Sequence, residues 1–450
     1  MTLLLHAASP TTALLLLAAT EAGLLPASSD RVLAYDSRKA GGRALASALG
    51  TGLPLPATDT AIDFAHRSDA AAVMRSLGPS EVVLDASSPR TAERLANAVG
   101  SARLRLLDDG TGLACATPDE FSPRTARRID ELLLPELVPG LLPVRLRETG
   151  TAVSPVPFDA VESVAGSWAV AAPVPPRLGV LLGREPRIAL VLGRGLPELG
   201  GNILKETQRL AERTVAAALN AGAQAVVLAP VPGTGPLTGD AGSAAGGSGV
   251  PGGARSAALA LCAAANAAGL AFASVPESLP ALAAQRLVDP FLTLSVDDPL
   301  LLGLRTQRSV RTRSVATGRF LPRLRSPRDG ARPHLSLVDA VMRRGVPVPA
   351  EEPSPRGVLQ SLVDAVAYSV QPERLALLAD DALRTLEHEP ALRDAYVPRS
   401  RRTALRKEAA RRGAQEPPTP ARNGSGSRRN TGGKRQAKPL AWLHRAGRGA

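Results

Sequence analysis

The sequence predicts an α/β protein: two Rossmann-like parallel sheets, then a helical extension and a disordered basic tail. Three observations predict it. Short aliphatic runs alternate with helix-patterned stretches over residues 1–110, and again from about residue 187. The stretch VAAPVPPRLG separates the two series, because consecutive prolines continue neither a helix nor a strand. Runs such as VVL and LLL are apolar at every position, as strands covered on both faces require.

The first series opens with a strand at Leu3–Leu5, a turn at Ser9-Pro10 and a helix starting at Thr11 or Thr12. RVLAYDS (31–37) is the next strand and GGRALASALG the next helix. A short segment at 61–65 precedes the helix DAAAVMRSLG, which ends at Gly78. EVVLDAS (81–87), the helix PRTAERLANAVG and the strand in LRLLDDG (104–110) follow. A helix is expected over Pro123–Leu134, then a proline-rich crossing with the inter-domain linker at about 170–186. Trp168, just before that linker, is expected to pack between domains.

The second series starts at RIALVLGRG (187–195), with a helix over 203–221 and the strand AQAVVLAP (223–230). Residues 233–253 are low-complexity and read as flexible. The helix SAALALCAAANAAG, the strand LAFASVP, a short helix near 279–287 and the strand in FLTLSVDDP (291–299) complete the pattern. A helix around Leu335–Arg344 closes the Arg-rich region 300–345, and residues 354–412 carry amphipathic helical periods. The expected division is therefore 1–170, 187–345, a helical extension at 346–412 and a tail at 413–450. A chain of 450 residues is long enough for that.

Composition narrows the function. Aromatic residues make up only 2%, so the core is aliphatic and little surface is available for stacking bases or sugars. The net charge of +13 sits in one place: Val397–Ala450 hold fifteen Lys or Arg against Glu408 and Glu416, leaving residues 1–396 neutral overall. That tail, with Trp442 near its end, suits a polyanion or an anionic membrane surface without sequence specificity, or acts only as a solubilising segment. Neutral residues 1–396 argue against a specific nucleic-acid binder.

Cys115 and Cys262 lie far apart, and His6, His66, His334, His388 and His444 form no metal-binding pair, so neither a disulfide framework nor a metal site is expected. His6 reads as a core histidine, and His334 as a surface or local capping residue. The N-terminal MTLLLHAASPTTALLLLAATEAG has no Lys or Arg before its apolar run, and Ser9-Pro10 splits that run, so it reads as strand, turn and helix rather than a signal peptide. No run approaches the ~20 residues of a membrane helix. A cytoplasmic protein, peripheral to a membrane through its tail, is expected.

The candidate chemistry begins at LRLLDDGTG (104–112). The strand ends at Asp108, Asp109 and Gly110, where two carboxylates share the C-terminal edge of a sheet, the place at which open α/β sheets bind ligands. Adjacent like charges push one pKa up, toward the range of a general base; a plain solvated turn is the bland alternative. VLGRGLPELGG (191–201) has G-x-G-x4-G spacing, which is not the dinucleotide fingerprint, but backbone N–H groups around Gly193 could meet a phosphate; a plain tight turn is the alternative. The sequence contains no GxxxxGK[ST] and no GxSxG.

Taken in order, Ser9-Pro10, LLDDG, LVLGRGLPELG, a long helix and AGAQAVVLAPVP resemble the bacterial sialyltransferase and polysialyltransferase group, over roughly residues 1–345. The resemblance implies a GT-B glycosyltransferase that transfers a sugar, with inversion, from a nucleotide-sugar donor (CMP-sialic acid by analogy) to a glycan acceptor in surface polysaccharide synthesis. It implies no cofactor. The family's acidic D/E-D-G motif falls on Asp108, Asp109 and Gly110, with Asp109 or Asp108 as base. Its His-Pro motif for the donor phosphate falls on Val231-Pro232, where the histidine is missing, and its Ser/Thr pair falls near Ser295, with Thr293 beside it. Arg255 or the arginines at 305–313 are candidates to replace the histidine. The missing histidine also opens a second reading, a non-catalytic relative that binds a glycan or nucleotide.

Overall fold

The computed structural model describes residues 2–26, 30–51, 59–66, 70–184, 186–194, 203–230, 252–322, 324, 331–349 and 357–415. The first series runs β1 (Thr2–His6), α1 (Pro10–Glu21), β2 (Asp30–Tyr35), α2 (Ala40–Gly50), β3 (Asp59–Asp63), α3 (Ala70–Leu77), β4 (Glu81–Asp85), α4 (Pro89–Ala98) and β5 (Arg103–Leu107). It continues with α5 (Pro123–Arg128), β6 (Ile129–Pro135), β7 (Ala152–Val156), α6 (Phe158–Ala171) and α7 (Pro176–Leu182). The second runs β8 (Ile188–Leu192), α8 (Ile203–Asn220), β9 (Ala225–Ala229), α9 (Gly252–Ala267), β10 (Ala271–Ser274), α10 (Ala281–Val288), β11 (Leu292–Ser295), α11 (Leu300–Gln307) and β12 (Thr312–Ser314). Helices α12 (Thr317–Phe320), α13 (Ala331–Met342), α14 (Val358–Val370), α15 (Ala379–His388), α16 (Pro390–Tyr396) and α17 (Arg399–Gln415) complete the chain.

The strands form two parallel sheets, ordered β3-β2-β1-β4-β5-β6-β7 and β10-β9-β8-β11-β12. Two parallel α/β sheets followed by a helical C-terminal region are the fold class that the sequence predicts. Each order reverses direction once, between β1 and β4 in the first sheet and between β8 and β11 in the second. Such a switch point leaves a crevice at the strands' C-terminal ends. The central strands β4, β8 and β9 are buried at every residue, which explains the all-aliphatic β8 and β9 and the VVL centre of β4.

One expectation needs correcting. The helix over Pro123–Leu134 is only the short α5; from Ile129 the chain becomes β6, paired on both sides with β5 and β7. An apolar run such as LLLP fits a buried strand as well as a helix face, and the two neighbouring strands decide for the strand. The stretch 170–186, expected as the linker, carries the last two residues of α6 and all of α7. At the C-terminus α17 runs to Gln415, two residues past Gly413; the rest of the tail, like residues 231–251 of the glycine-rich stretch, lies outside the described residues.

The two sheets are joined by α6, which packs on α1 and on α10 and carries the buried Trp168. Glu162 of α6 pairs with Arg286 of α10 (3.0 Å) and with Arg308 just past α11. Helix α11 also grips the loop after β6: Thr306 Oγ1 donates to the Leu137 carbonyl (2.6 Å) and Gln307 Nε2 to that of Glu136 (2.9 Å). Helix α14 returns to the first sheet, where the Leu142 N–H donates to Gln360 Oε1 (2.8 Å) and Arg147 pairs with Asp364 (2.5 Å). Among the described residues no helix is long and apolar enough to cross a membrane.

Candidate active site

A cavity of about 340 Å³ lies between the sheets. Six polar residues of its wall follow strands at their C-terminal ends. Ser9, Ser87 and Asp109 come from the first sheet, after β1, β4 and β5; Arg194, Glu277 and Asp298 come from the second, after β8, β10 and β11. Both switch points therefore open into one space.

On the first-sheet side the loops are fixed from below. The Asp85 carboxylate accepts the Ala8 N–H (2.8 Å) and the Ser87 N–H (2.7 Å), tying together the turns after β1 and β4. Ser9 caps α1 through the Thr12 N–H (3.3 Å). His6 is buried and its Nδ1 accepts the Asp85 N–H (3.3 Å), as expected of a core histidine. Burial lowers its pKa to about 4.

The two aspartates at the end of β5 have separate environments. Asp108 is fully buried. Its Oδ1 accepts the N–H groups of Gly110 (2.7 Å) and Gly112 (2.8 Å), and its Oδ2 pairs with Arg145. Burial pushes this carboxyl up, against the pull of Arg145 and the two amides. The loop wraps so tightly that a Cβ on Gly112 would stand 2.8 Å from Asp108 Oδ2.

Asp109 faces the cavity, with 12% of its side chain exposed. Its Oδ1 accepts the Thr111 N–H (3.1 Å) and the Thr111 hydroxyl (2.8 Å), and its Oδ2 accepts from Arg194 Nη1 (2.8 Å). Burial alone would raise its pKa, but the Arg194 guanidinium and Thr111 together hold it well below the usual carboxylate range. Adjacent carboxylates were expected to lift one pKa into the range of a base. The one that rises is the sealed Asp108, whereas the one in the cavity falls.

Gly110 takes φ +105°, and a Cβ there would meet Leu137 Cδ1 at 2.4 Å and Pro299 Cβ at 3.0 Å. Here the acidic loop meets both the loop after β6, through Leu137, and the second sheet's loop after β11, through Pro299. On the second-sheet side Gly193 donates its N–H to the Ala229 carbonyl (2.8 Å), and its neighbour Arg194 reaches across to Asp109. Ser295 lies beneath: its Oγ donates to the Leu192 carbonyl (3.3 Å) and accepts the Asp298 N–H (3.2 Å), joining the ends of β8 and β11. Asp298 Oδ1 accepts the Leu300 N–H (2.9 Å), so this aspartate ties into the first turn of α11 and also lines the cavity; burial raises its pKa. Val231 and Pro232 lie outside the described residues, but Pro230 just before them lines the cavity.

Arg194 is the cation that the sequence reading passes over. Arg255 and the arginines of 305–313 were its candidates, yet Arg308 is spent on Asp159 and Glu162, Arg311 lies over the Phe291 ring, and none of these lines the cavity. Its signal was present: a charged residue between two glycines at the end of a fully apolar strand. His334 is not on the surface. It is buried at the start of α13, where its Nε2–H donates to the Asp297 carbonyl, and burial lowers its pKa to about 4, with Arg194 adding to the effect. Cys115, behind the acidic loop, is pushed up to about 11 by burial, so it stays a thiol. Among the described residues no cluster of His, Cys, Asp and Glu has the makings of a metal site.

No protein-family model matches the sequence, and no curated protein matches it. Among solved structures the chain is similar to TcCGT1 in complex with UDP, at 12% identity over 92% of this chain and 99% of that one, with a TM-score of 0.42. It is also similar to MurG of Acinetobacter baumannii, at 12% identity over 90% and 99% with a TM-score of 0.34. The GT-B domain of a sialyltransferase from Photobacterium damselae aligns at 9% identity over 69% and 89%, with a TM-score of 0.35.

Proposed function

We propose that this cleft binds a nucleotide-activated sugar and transfers the sugar to a hydroxyl acceptor, with Asp109 as the base. One observation carries the reading: Asp109 from one sheet and Arg194 from the other meet at 2.8 Å on the wall of a cavity placed at both switch points. An acceptor oxygen attacks the anomeric carbon and gives its proton to Asp109, while the bond from that carbon to the phosphate oxygen breaks and its electron pair leaves with the phosphate. The phosphate gains charge and needs a cation, which Arg194 supplies. Asp108, Gly110, Gly193 and Ser295 then serve by holding these two residues in place. The sequence resemblance makes a CMP-linked sialic acid the first donor to test, with a glycan as acceptor and the basic tail resting on an anionic surface.

A second reading, a nucleotide-binding relative without turnover, draws on the pinned state of Asp109, because a carboxylate held this low is a weak base. Titrating CMP, UDP and GDP against the purified protein, with donor hydrolysis followed in parallel, separates the two. Binding with turnover that Asp109→Asn reduces by about a hundredfold or more supports the transferase. Binding without turnover supports the second reading, and no binding to any of the three overturns both.

A further inference from the structure

We infer that Arg194 is an exchangeable partner: it pairs with Asp109 and passes to the phosphate of an arriving donor, so that donor binding releases the base. This rests on the reading of the cleft as a nucleotide-sugar site and explains how a pinned carboxylate could still act there.

The geometry supports exchange rather than a permanent bridge. Arg194 is 35% exposed at its side chain and comes from the opposite sheet, so it can turn within the cavity. Asp109 cannot follow it, because Thr111 holds its other oxygen through both N–H and hydroxyl. The carboxylate therefore stays aimed into the cleft when the arginine leaves. Among the described residues lining the cavity Arg194 is the sole Lys or Arg, against Asp109, Glu277 and Asp298. A phosphate entering there meets no other cation among the described residues that line the cavity. Once the guanidinium has gone, the carboxylate loses the charge that favours its ionised form, and its proton affinity rises. Donor occupancy and base strength are then coupled, and the donor binds before the acceptor is deprotonated.

The coupling makes a prediction that a merely structural bridge does not. Removing the carboxylate's charge removes the phosphate's competitor, so Asp109→Asn should bind nucleotide more tightly than the wild type, by about fivefold, the equivalent of a partly exposed ion pair. Arg194→Gln should bind at least about tenfold more weakly. In the double variant the gain from Asp109→Asn should vanish, because it acts only through Arg194. Calorimetric titration of CMP, UDP, GDP and inorganic pyrophosphate up to millimolar concentrations reads all four proteins; Asp109→Ala replaces the Asn variant if that one fails to fold. Equal or weaker binding by Asp109→Asn overturns the exchange and leaves the nucleotide site standing. A fivefold gain that persists in the Arg194→Gln background overturns it too, by showing general repulsion. No binding of any probe to the wild type or to Asp109→Asn fells the site itself, and the exchange with it.

Discussion

Two neighbouring aspartates with the same side chain do different work because their partners differ. Asp108 is sealed against Arg145 and two glycine amides, while Asp109 is at the cavity wall against a partly exposed arginine. Their stability effects should differ accordingly. Asp108→Ala leaves Arg145 buried without its carboxylate and should cost about 3–5 kcal/mol, whereas Asp109→Asn breaks a partly exposed pair and should cost about 1 kcal/mol or less. Denaturant midpoints measured for both variants check this; equal losses would remove the distinction drawn between a structural and a cavity-facing aspartate. The sequence made the pair legible as a candidate site, since a strand ending in Asp-Asp-Gly is local information. Which aspartate faces the cleft was not legible. That depends on Arg145, 37 residues on, and on Arg194, 85 residues on, and neither pairing has a local signature.

At the scale of elements, the site depends on close approach between the acidic loop, the loop after β6 and the second sheet's loop after β11. Gly110 is the contact. Its positive φ disfavours a side chain, and its space is already filled by Leu137 Cδ1 and Pro299 Cβ. Gly110→Ala should therefore cost roughly 1–3 kcal/mol. Adding Leu137→Ala removes the nearer obstacle, so the double variant should lose less than the two single losses added together, which unfolding midpoints would show. Strict additivity would mean that the loop has room. The strands around this contact show what sequence can and cannot reveal. β1, β4, β5, β8 and β9 are aliphatic runs closed by turn residues and were readable as such. β6 was hidden because IDELLLP follows a helical start without a break, and β7 because AVSPV contains Pro155, which an edge strand tolerates. Pairing across the sheet, not propensity, decides both.

At the scale of the molecule, two buried histidines pull stability down in acid over a defined range, against raised carboxylates such as Asp108 and Asp298 that pull the other way. His6 lies in the first sheet and accepts an N–H through its bare Nδ1, and His334 lies in α13, donating through Nε2. Burial lowers both pKa values to about 4 from the unfolded 6.5. Between those values the unfolded chain binds more protons than the folded one, so stability rises with pH. The contribution is complete above pH 6.5 and is lost as pH falls through about 4, amounting to on the order of 3 kcal/mol for each histidine. The low pKa of Asp109 acts in the same direction at still lower pH, since a depressed carboxylate stabilises only while it is ionised. His6→Asn keeps an oxygen where Nδ1 accepts the Asp85 N–H but does not titrate, so it should flatten the fall in melting temperature between pH 7 and pH 4.5. Its own cost should appear equally at both pH values. Parallel melting curves for the wild type and His6→Asn across that range would show that His6 does not titrate on unfolding. A flatter curve for the variant would place one of the protein's acid-sensitive groups beneath the β1 and β4 turns, under the same cleft wall that carries Ser9 and Ser87.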